Sequence, residues 1–254
     1  MSKEFNSKPG KFAVEALLGS INSLSGTKSD KDLNDYAKWH YLRLALDLDW
    51  ITKTVGRDAR ILEVGGSPFF LTNALLTQGY KLDVIDKMSD AAKALVQTAG
   101  LAVTSCDIEQ EKIPFGDNIF DEILFNEVFE HMRINPIVTM KEILRILRPN
   151  GRLWLSTPNL GSLRGIMNLI MKNEGWSVVS EGVYAQYELL SKIGYMGHVR
   201  EYTSKEITDF LLRVGFHVEK VVYRGAYGNR MANGMTKMIP RLKPFFTCIA
   251  RKPR

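Results

Sequence analysis

The segment Arg-Ile-Leu-Glu-Val-Gly-Gly, residues 60–66, decides the fold. A short apolar run that ends in two glycines is typical of a buried strand followed by a tight turn. A helical pattern follows around 70–78, and the next apolar run, 82–85, ends in Asp86. Strands that alternate with helices at this spacing predict βαβ units and a mostly parallel, doubly wound sheet.

The same alternation continues towards the carboxyl end of the chain. The further predicted strands are Leu101–Ser105, Ile119–Phe125, Leu153–Ser156, Phe216–Tyr223 and Phe245–Arg251. The last two follow each other with only a basic, Met-rich connection between them, which predicts an antiparallel hairpin at the sheet edge. We therefore predict an α/β fold with a Rossmann-like, mostly parallel seven-stranded sheet and a C-terminal antiparallel hairpin.

Two helical regions flank or interrupt this pattern. Residues 1–56 are predicted to form an N-terminal helical extension, and residues 57–254 the main domain. The extension would be loosely ordered over its first 30 residues, apart from a short helix near Val14–Leu18, and would then form a long helix from Asp30 to Val55. One apolar face of the long helix is expected to carry Tyr36, Trp39, Leu42, Leu46 and Trp50. A helical lid insertion is predicted at about 158–200, with four aromatic residues that would stack on a sugar or pack the insertion: Trp176, Tyr184, Tyr187 and Tyr195.

Composition places the chain among globular proteins. Its 254 residues are 45% hydrophobic and 24% charged, which excludes disordered and fibrous classes. No apolar run approaches the roughly 20 residues of a membrane-spanning helix, and a signal peptide is not expected. Two cysteines cannot build a disulfide framework, so we expect a cytoplasmic protein. The formal net charge of +6 permits an anionic partner without requiring one.

Acidic residues stand at the predicted strand ends, where an open parallel sheet binds its ligands. Asp86 can accept hydrogen bonds from both hydroxyls of a ribose, and Asp107 from an amino group such as that of adenine. Glu63 precedes the paired glycines and would repel a pyrophosphate, while it suits a cationic amine. Adjacent glycines also differ from the G-x-G-x-x-G spacing of dinucleotide sites, so a dinucleotide is the weaker alternative.

This ordered set resembles the class I S-adenosylmethionine-dependent methyltransferases. Residues 63–66 correspond to their Gly-rich first motif, and residues 106–108 correspond to their adenine motif. Residues 120–123 correspond to the start of their fourth strand, and residues 147–151 correspond to their LxPGG turn. The family commonly has two further glycines where this chain has Ser67 and Phe69. The resemblance implies that S-adenosyl-L-methionine is bound by Glu63, Gly65, Gly66, Asp86, Asp107, Ile108 and Asn126.

A carboxylate–histidine group follows the fourth predicted strand. If the chain is helical from Asn126 onward, the i, i+3 and i+4 spacing places Glu127, Glu130 and His131 on one face. Such a set can bind a divalent cation, Mg²⁺ or Mn²⁺ through oxygen and Zn²⁺ or Fe²⁺ through nitrogen. The arrangement is similar to that of small-RNA 2′-O-methyltransferases and ubiquinone-pathway O-methyltransferases, and His198 matches the later histidine that completes the RNA enzymes' metal site. A metal-free pocket with His131 and His198 as catalytic residues, and a purely structural role, both stay open.

The methyl acceptor is the least determined feature. Resemblance to methyltransferases of glycan pathways favours an O-methyltransferase acting on a small hydroxylated molecule, such as a sugar or a vicinal diol. Nucleic acid is a less favoured alternative, as is a non-catalytic nucleoside-binding module. Basic residues concentrate near the carboxyl end and alternate with Met and Phe, which also allows peripheral contact with an anionic membrane: Arg224, Arg230, Lys237, Arg241, Lys243, Arg251, Lys252 and Arg254. The oligomeric state is left open.

Overall fold

The architecture was obtained from a computed structural model that describes residues 8–25, 31–179, 182–193 and 197–254. The helices are α1 Lys11–Ser25, α2 Lys31–Thr54, α3 Phe70–Thr77, α4 Asp90–Ala99, α5 Pro136–Ile146, α6 Leu163–Lys172, α7 Val183–Ile193, α8 Ser204–Val214 and α9 Arg230–Met238. The strands are β1 Arg60–Val64, β2 Lys81–Asp86, β3 Thr104–Ser105, β4 Phe120–Asn126, β5 Leu147–Pro158, β6 His217–Arg224 and β7 Phe245–Arg251.

These strands form one seven-stranded sheet in the order β3-β2-β1-β4-β5-β7-β6. The β1–β2 and β2–β3 pairs are parallel, whereas β7 runs antiparallel to both β5 and β6. The predicted Rossmann-like sheet and its C-terminal hairpin are therefore confirmed. The interval 158–200 contains α6 and α7, as the predicted helical insertion requires.

The chain divides into two compact units, which are described separately below. One unit comprises Met1–Leu124 with Ile146–Arg148, and the other comprises Phe125–Arg145 with Pro149–Arg254. The first unit contains β1, β2 and β3 with α1 to α4, and the second contains β6 and β7 with α6 to α9.

The N-terminal region differs from its prediction in two ways. Instead of a short helix near Val14–Leu18, α1 spans Lys11–Ser25, because Ala13, Leu17, Ile21 and Leu24 form a buried stripe against α2 and α3. Asp30, the expected start of the long helix, lies outside the described residues.

The predicted apolar face of α2 is wrong in its first half. Trp39 is 78% exposed and Leu42 is also exposed, whereas Leu46 and Trp50 are buried. The reason is that α2 is enclosed on all sides from Leu44 to Ile51, so that even Asp47 and Asp49 are buried, while its first half has an open surface.

Candidate functional site

The turn after β1 brings backbone close to the end of β2. Gly65 continues the strand ladder by donating from its N–H to the carbonyl of Ile85 (2.9 Å), and it has a φ of 68°. A Cβ atom on Gly66 would lie 3.1 Å from both Thr72 Oγ1 and Val84 Cγ1. The space beside Gly66 is thus already occupied by neighbouring side chains, so packing favours glycine at this position.

Phe69 adopts a conformation that usually needs glycine. Its φ is 63°, its side chain is fully buried, and its N–H donates to the carbonyl of Gly66 (2.6 Å). Phe69 is the N-cap of α3 and makes no side-chain capping bond to the first turn of that helix. Phe69 thus combines a bulky buried side chain with a left-handed backbone that glycine adopts more readily.

Glu63 is a buried carboxyl at the end of β1. The hydroxyl of Thr72 donates to Glu63 Oε2 at 2.6 Å. Burial, with smaller contributions from the charges of Asp86 and Asp47, raises the pKa of Glu63 to about 7, although the Thr72 bond opposes the shift. A cationic group placed beside Glu63 would favour its ionised form, which fits the ammonium of an amino acid.

Asp86 ends β2 beside the glycine turn. The backbone N–H of Ser67 donates to Asp86 Oδ2 at 3.0 Å. Burial raises the pKa of Asp86, and the Ser67 bond opposes this effect. A carboxylate can accept about four hydrogen bonds, so Asp86 keeps capacity for the two hydroxyls of a ribose.

Asp107 is held by a set of local donors. Lys87 Nζ and Gln110 Nε2 each lie 2.8 Å from Asp107 Oδ2, and the N–H of Glu109 lies 3.1 Å from Oδ1. Burial alone would raise the pKa of Asp107, but these donors outweigh it and the pKa is lowered. Asp107 is therefore an ionised acceptor at neutral pH, and the half-buried Ile108 follows it directly.

The helix predicted after Asn126 is not formed. Glu127 has a φ of 56°, and its N–H extends the strand pairing by donating to the carbonyl of Ser156 (2.9 Å). A single 3₁₀ turn, Phe129–His131, comes next. Glu127 is therefore itself a left-handed residue just after β4, Glu130 lies within the tight turn, and the two do not share an α-helical face.

Asn126 and Glu127 instead face a neighbouring strand. The hydroxyl of Ser156 lies 3.1 Å from Asn126 Oδ1 and 2.8 Å from Glu127 Oε1. Arg224 Nη2, on a side chain that is almost fully buried, lies 3.7 Å from Glu127 Oε1. Glu127 thus forms an ion pair with β6, and the structure does not bring it into the predicted metal set.

The other three predicted ligands do come together. Glu130, His131 and His198 each offer a ligand atom, and these atoms lie within 4.8 Å of one another. The two imidazole rings meet edge to face with centroids 4.9 Å apart, and His198 Nε2 lies 4.0 Å from Glu130 Oε1. We call these three residues the Glu–His cluster.

Backbone bonds join the two distant segments that form the cluster. The carbonyl of Glu130 accepts from the N–H groups of Val199 (2.7 Å) and Arg200 (3.3 Å). In return, His131 Nδ1 donates to the carbonyl of Gly197 at 2.7 Å. The position of His198 relative to the turn at 129–131 is therefore set by main-chain geometry.

Glu201 is a site residue that the sequence interpretation missed. It is buried, and its Oε1 lies 3.1 Å from His198 Nδ1 and also accepts from the N–H groups of Val178 (2.9 Å) and Val179 (3.2 Å), while Oε2 accepts from Ser177. Burial opposes ionisation, but the bonds from His198 and residues 177–178 outweigh it and lower the pKa of Glu201. The available signal was the His-x-x-Glu spacing, which pairs a histidine with a carboxylate.

The contacts of both histidines define which nitrogen faces a ligand. Carbonyl and carboxylate oxygens only accept, so we assign the hydrogen of His131 and of His198 to Nδ1, which leaves Nε2 with a lone pair. Burial lowers the pKa of His131 to about 4, with a smaller lowering by His198, against the opposing effects of Gly197 and Glu127. His131 is therefore neutral at neutral pH, as a metal ligand or a general base must be.

The four aromatic residues predicted in the insertion have fewer described contacts than the Glu–His cluster. Trp176 is half-buried and its carbonyl accepts from Asn168 Nδ2 (2.9 Å), whereas Tyr184 and Tyr187 are exposed. Tyr195 lies outside the described residues. Stacking of these rings on a substrate stays a prediction.

The comparisons with known proteins find a similarity to methyltransferases. Residues 62–155, which are less than half of the chain, match the family model described as a methyltransferase domain. An uncharacterized methyltransferase of Mycobacterium tuberculosis (strain ATCC 25618 / H37Rv) is 33% identical to it over 112 residues, which cover 42% of this chain and 42% of the relative. The chain therefore spans less than half the length of the curated relatives that it matches first.

Solved structures share the fold of this chain. A SAM-dependent methyltransferase from Archaeoglobus fulgidus superposes with a TM-score of 0.60 at 13% identity, covering 88% of this chain and 100% of the other. A 1,6-didemethyltoxoflavin-N1-methyltransferase from Burkholderia thailandensis gives a TM-score of 0.55 at 18% identity, covering 93% of this chain and 89% of the other. Among the described helices of this chain, none combines the length and apolar character that crossing a membrane requires.

Proposed function

We propose that the protein transfers the methyl group of S-adenosylmethionine to a hydroxyl of a small molecule, such as a sugar or a vicinal diol. The observation that carries this proposal is the Glu–His cluster, in which two imidazole nitrogens with lone pairs lie beside a buried carboxylate. Such a group can bind a hydroxyl and remove its proton, which is the activation that methyl transfer to oxygen requires.

The strand-end residues would hold the methyl donor. Glu63 would face its ammonium group, the backbone of Gly65 and Gly66 would allow its close approach, and Asp86 would accept from its ribose. The adenine side would be formed by Asp107 and Ile108, with Asn126 at the end of β4. The parallel pairing of β1 with β2 and the bond from Ser67 to Asp86 support this assignment, because they bring Glu63, the glycine turn and Asp86 to the same end of the two strands.

His131 would act as the general base. S-adenosylmethionine supplies an electrophilic methyl group on a sulfonium centre. His131 Nε2 would accept the hydroxyl proton as the oxygen attacks that methyl group, so the imidazole becomes protonated. His198 would orient the hydroxyl, and Glu201 would keep the His198 ring in place through Nδ1.

The cluster also fits a divalent cation. Glu130, His131 and His198 provide one oxygen and two nitrogen donors, a set that suits Zn²⁺, Fe²⁺ or Mn²⁺ better than Mg²⁺. A cation held there would lower the pKa of a bound hydroxyl and orient a second, vicinal oxygen. Glu201 would support His198 from behind, as carboxylates commonly support metal-ligating histidines.

The test is a methyl-transfer screen with labelled S-adenosylmethionine. Sugars, catechols and short RNAs are compared with matched acceptors that lack one hydroxyl or carry an amine in its place. The proposal expects transfer that requires the hydroxyl and that falls at least about 100-fold in His131→Asn. Transfer only to RNA, or only to the amine acceptors, would contradict it.

Two further measurements separate the parts of the proposal. Calorimetry should detect binding of S-adenosylmethionine by the parent and about 100-fold weaker binding by Asp86→Ala, since hydrogen bonds to a charged group are lost. Binding without transfer to any acceptor would favour a non-catalytic nucleoside-binding module. Elemental analysis and an EDTA challenge decide the metal: full activity after chelation of a metal-free preparation assigns the cluster to base catalysis alone.

A further inference from the structure

Helix α6 exposes apolar side chains to solvent along most of its length. Ile170 is 77% exposed and Met171 is 75% exposed, and three more residues on the same helix are exposed as well: Ile166, Met167 and Leu169. Among the described residues of α6, only Gly165 is fully buried. A helix of a globular protein normally turns such residues inward, so this exposure indicates a surface that is covered in use.

Helix α9 has the same character. Met231, Met235 and Met238 follow the i, i+4, i+7 spacing of one helical face, and Met231 and Met238 are 73% and 86% exposed. Ile239 extends the exposed apolar face beyond the helix. The buried side of α9 is marked instead by Thr236.

Tyr227 connects these two helices. Its hydroxyl donates to the carbonyl of Leu242 (2.8 Å) and accepts from the N–H of Arg164 in α6 (3.4 Å). Its backbone N–H donates to Asn233 Oδ1 in α9 (2.8 Å), and its carbonyl accepts from Asn233 Nδ2 (2.5 Å). We call the exposed residues of α6 and α9, with Ile239 and Arg241, the α6–α9 surface.

The charge of this surface has one sign. No acidic residue occurs in 159–173 or in 225–254, whereas Arg164, Lys172, Arg230, Lys237 and Arg241 are all exposed. Protruding apolar side chains surrounded by Lys and Arg are the pattern of helices that lie in the headgroup region of a bilayer. A protein partner that bound through apolar contacts would also tolerate acidic residues on this surface. Their absence therefore favours an anionic lipid surface as the occupant.

We propose that the α6–α9 surface attaches the protein peripherally to a bilayer rich in anionic lipid. The Met and Ile side chains would enter the boundary between headgroups and acyl chains, and the cations would contact lipid phosphates. This attachment is independent of the proposed methyl acceptor, since it concerns neither the strand ends nor the Glu–His cluster.

Sedimentation with vesicles tests the attachment using the full chain. Vesicles of equal parts phosphatidylglycerol and phosphatidylcholine are compared with vesicles of phosphatidylcholine alone, at low and at high NaCl. We expect binding to the mixed vesicles only, weakened at high salt because exposed charges are screened. Equal binding to both vesicle types, or binding to neither at low salt, would overturn the proposal.

Variants locate the contact on the protein. Lys172→Gln with Lys237→Gln should weaken partitioning about 25-fold, because each basic residue near an anionic surface contributes about 1 kcal/mol. Ile170→Ser with Met238→Ser should weaken it at least about tenfold through lost apolar burial. Matched changes on α8, Lys205→Gln and Leu212→Ser, remove an exposed cation and an exposed apolar side chain elsewhere and should leave partitioning unchanged.

Two controls keep the result interpretable. Each variant must retain the parent's thermal unfolding midpoint within a few degrees and its S-adenosylmethionine affinity, which separates failure of attachment from failure of the proposed function. Light scattering measures mass without lipid: a dimer that the Ile170→Ser, Met238→Ser variant abolishes would assign the surface to a second copy of the chain and overturn the membrane proposal.

Discussion

Glu63 and Glu130 are two buried glutamates that have the same kind of hydrogen-bond partner but different surroundings. Each accepts a hydrogen bond from a buried threonine hydroxyl, Thr72 at 2.6 Å and Thr157 at 2.9 Å. The surroundings of Glu63 are acidic, with Asp86 and Asp47 contributing to its pKa, whereas Glu130 lies beside two imidazoles. Burial is the largest cause of the raised pKa of Glu63 and its acidic neighbours add to it, so a threonine donor does not by itself keep a buried glutamate ionised.

The pKa values of Glu63 and His131, one titrating group from each region, are shifted in opposite directions. Burial raises the pKa of Glu63 from 4.5 to about 7, so the folded protein keeps a proton there that the unfolded chain has lost. Burial lowers the pKa of His131 from 6.5 to about 4, so the folded protein lacks a proton that the unfolded chain holds. Burial thus favours the uncharged form of each of these two groups, the acid of Glu63 and the base of His131.

The largest predicted effect is an opposite pH dependence of the two regions. The Glu63 contribution to the free energy of unfolding is complete below pH 4.5 and is lost as pH rises to about 7. The His131 contribution is complete above pH 6.5 and is lost as pH falls to about 4. Each pKa shift of 2.5 units contributes at most about 3 kcal/mol to the free energy of unfolding. Between pH 4.5 and 6.5 the two contributions change in opposite directions and largely cancel.

Denaturant unfolding between pH 4 and 8, in EDTA, measures this cancellation. Relative to the parent, Glu63→Gln should gain about 3 kcal/mol in stability as pH rises from 4.5 to 7. His131→Asn should lose about the same amount, relative to the parent, as pH rises from 4 to 6.5. Variants whose stability stays parallel to that of the parent across this range would show that neither group is shifted.

The second prediction compares the two threonines directly. Thr72→Val and Thr157→Val remove one hydroxyl each at nearly constant volume, and each leaves a buried carboxyl without that donor. We expect a loss of about 2 kcal/mol in the free energy of unfolding at pH 8 for both variants. The Thr72→Val loss should shrink at pH 5, where Glu63 is protonated and needs the donor less.

Ser23→Ala is the matched control for this comparison. Its hydroxyl donates to the carbonyl of Ser20 and accepts from Asn73 Nδ2, and neither bond is fully buried, so its removal should change stability by less than about 1 kcal/mol. A Thr72→Val loss that is the same at pH 5 and pH 8 would argue that the raised pKa of Glu63 is wrong.

The strand-end region was predictable because its residues are local in sequence. Gly65, Gly66 and Asp86 follow short apolar runs directly, and the pairing of β1 with β2 then brings the ends of those runs together. The capping box formed by Thr203 and Glu206 at the start of α8 is local in the same way, because it depends only on the Thr-x-x-Glu spacing. In such places, local pattern and final structure agree because few distant contacts decide the outcome.

The Glu–His cluster was only partly predictable because distant backbone contacts form it. Glu127 follows the predicted spacing, but its bond to the carbonyl of Ser156 prolongs β4 and prevents the helix that the spacing assumed. His198 reaches the cluster through the bonds of residues 197–200 to the turn at 129–131. The role of Glu201 depends on those same bonds, so the His-x-x-Glu spacing alone could not distinguish it from an ordinary surface glutamate.

The smallest predicted effect tests how tightly the side chains of the strand-end region pack around Gly66. Gly66→Ala places a Cβ atom 3.1 to 3.2 Å from Thr72, Val84 and Phe69, and these neighbours must shift by a few tenths of an ångström. We expect a loss of about 1 kcal/mol in the free energy of unfolding, measured by urea denaturation. Gly19→Ala, in the middle of α1 with open space at its Cβ position, should instead gain about 0.5 to 1 kcal/mol, because alanine favours the helix. If both variants gained stability, the turn after β1 would have room for a side chain, and the tight packing around Gly66 would be wrong.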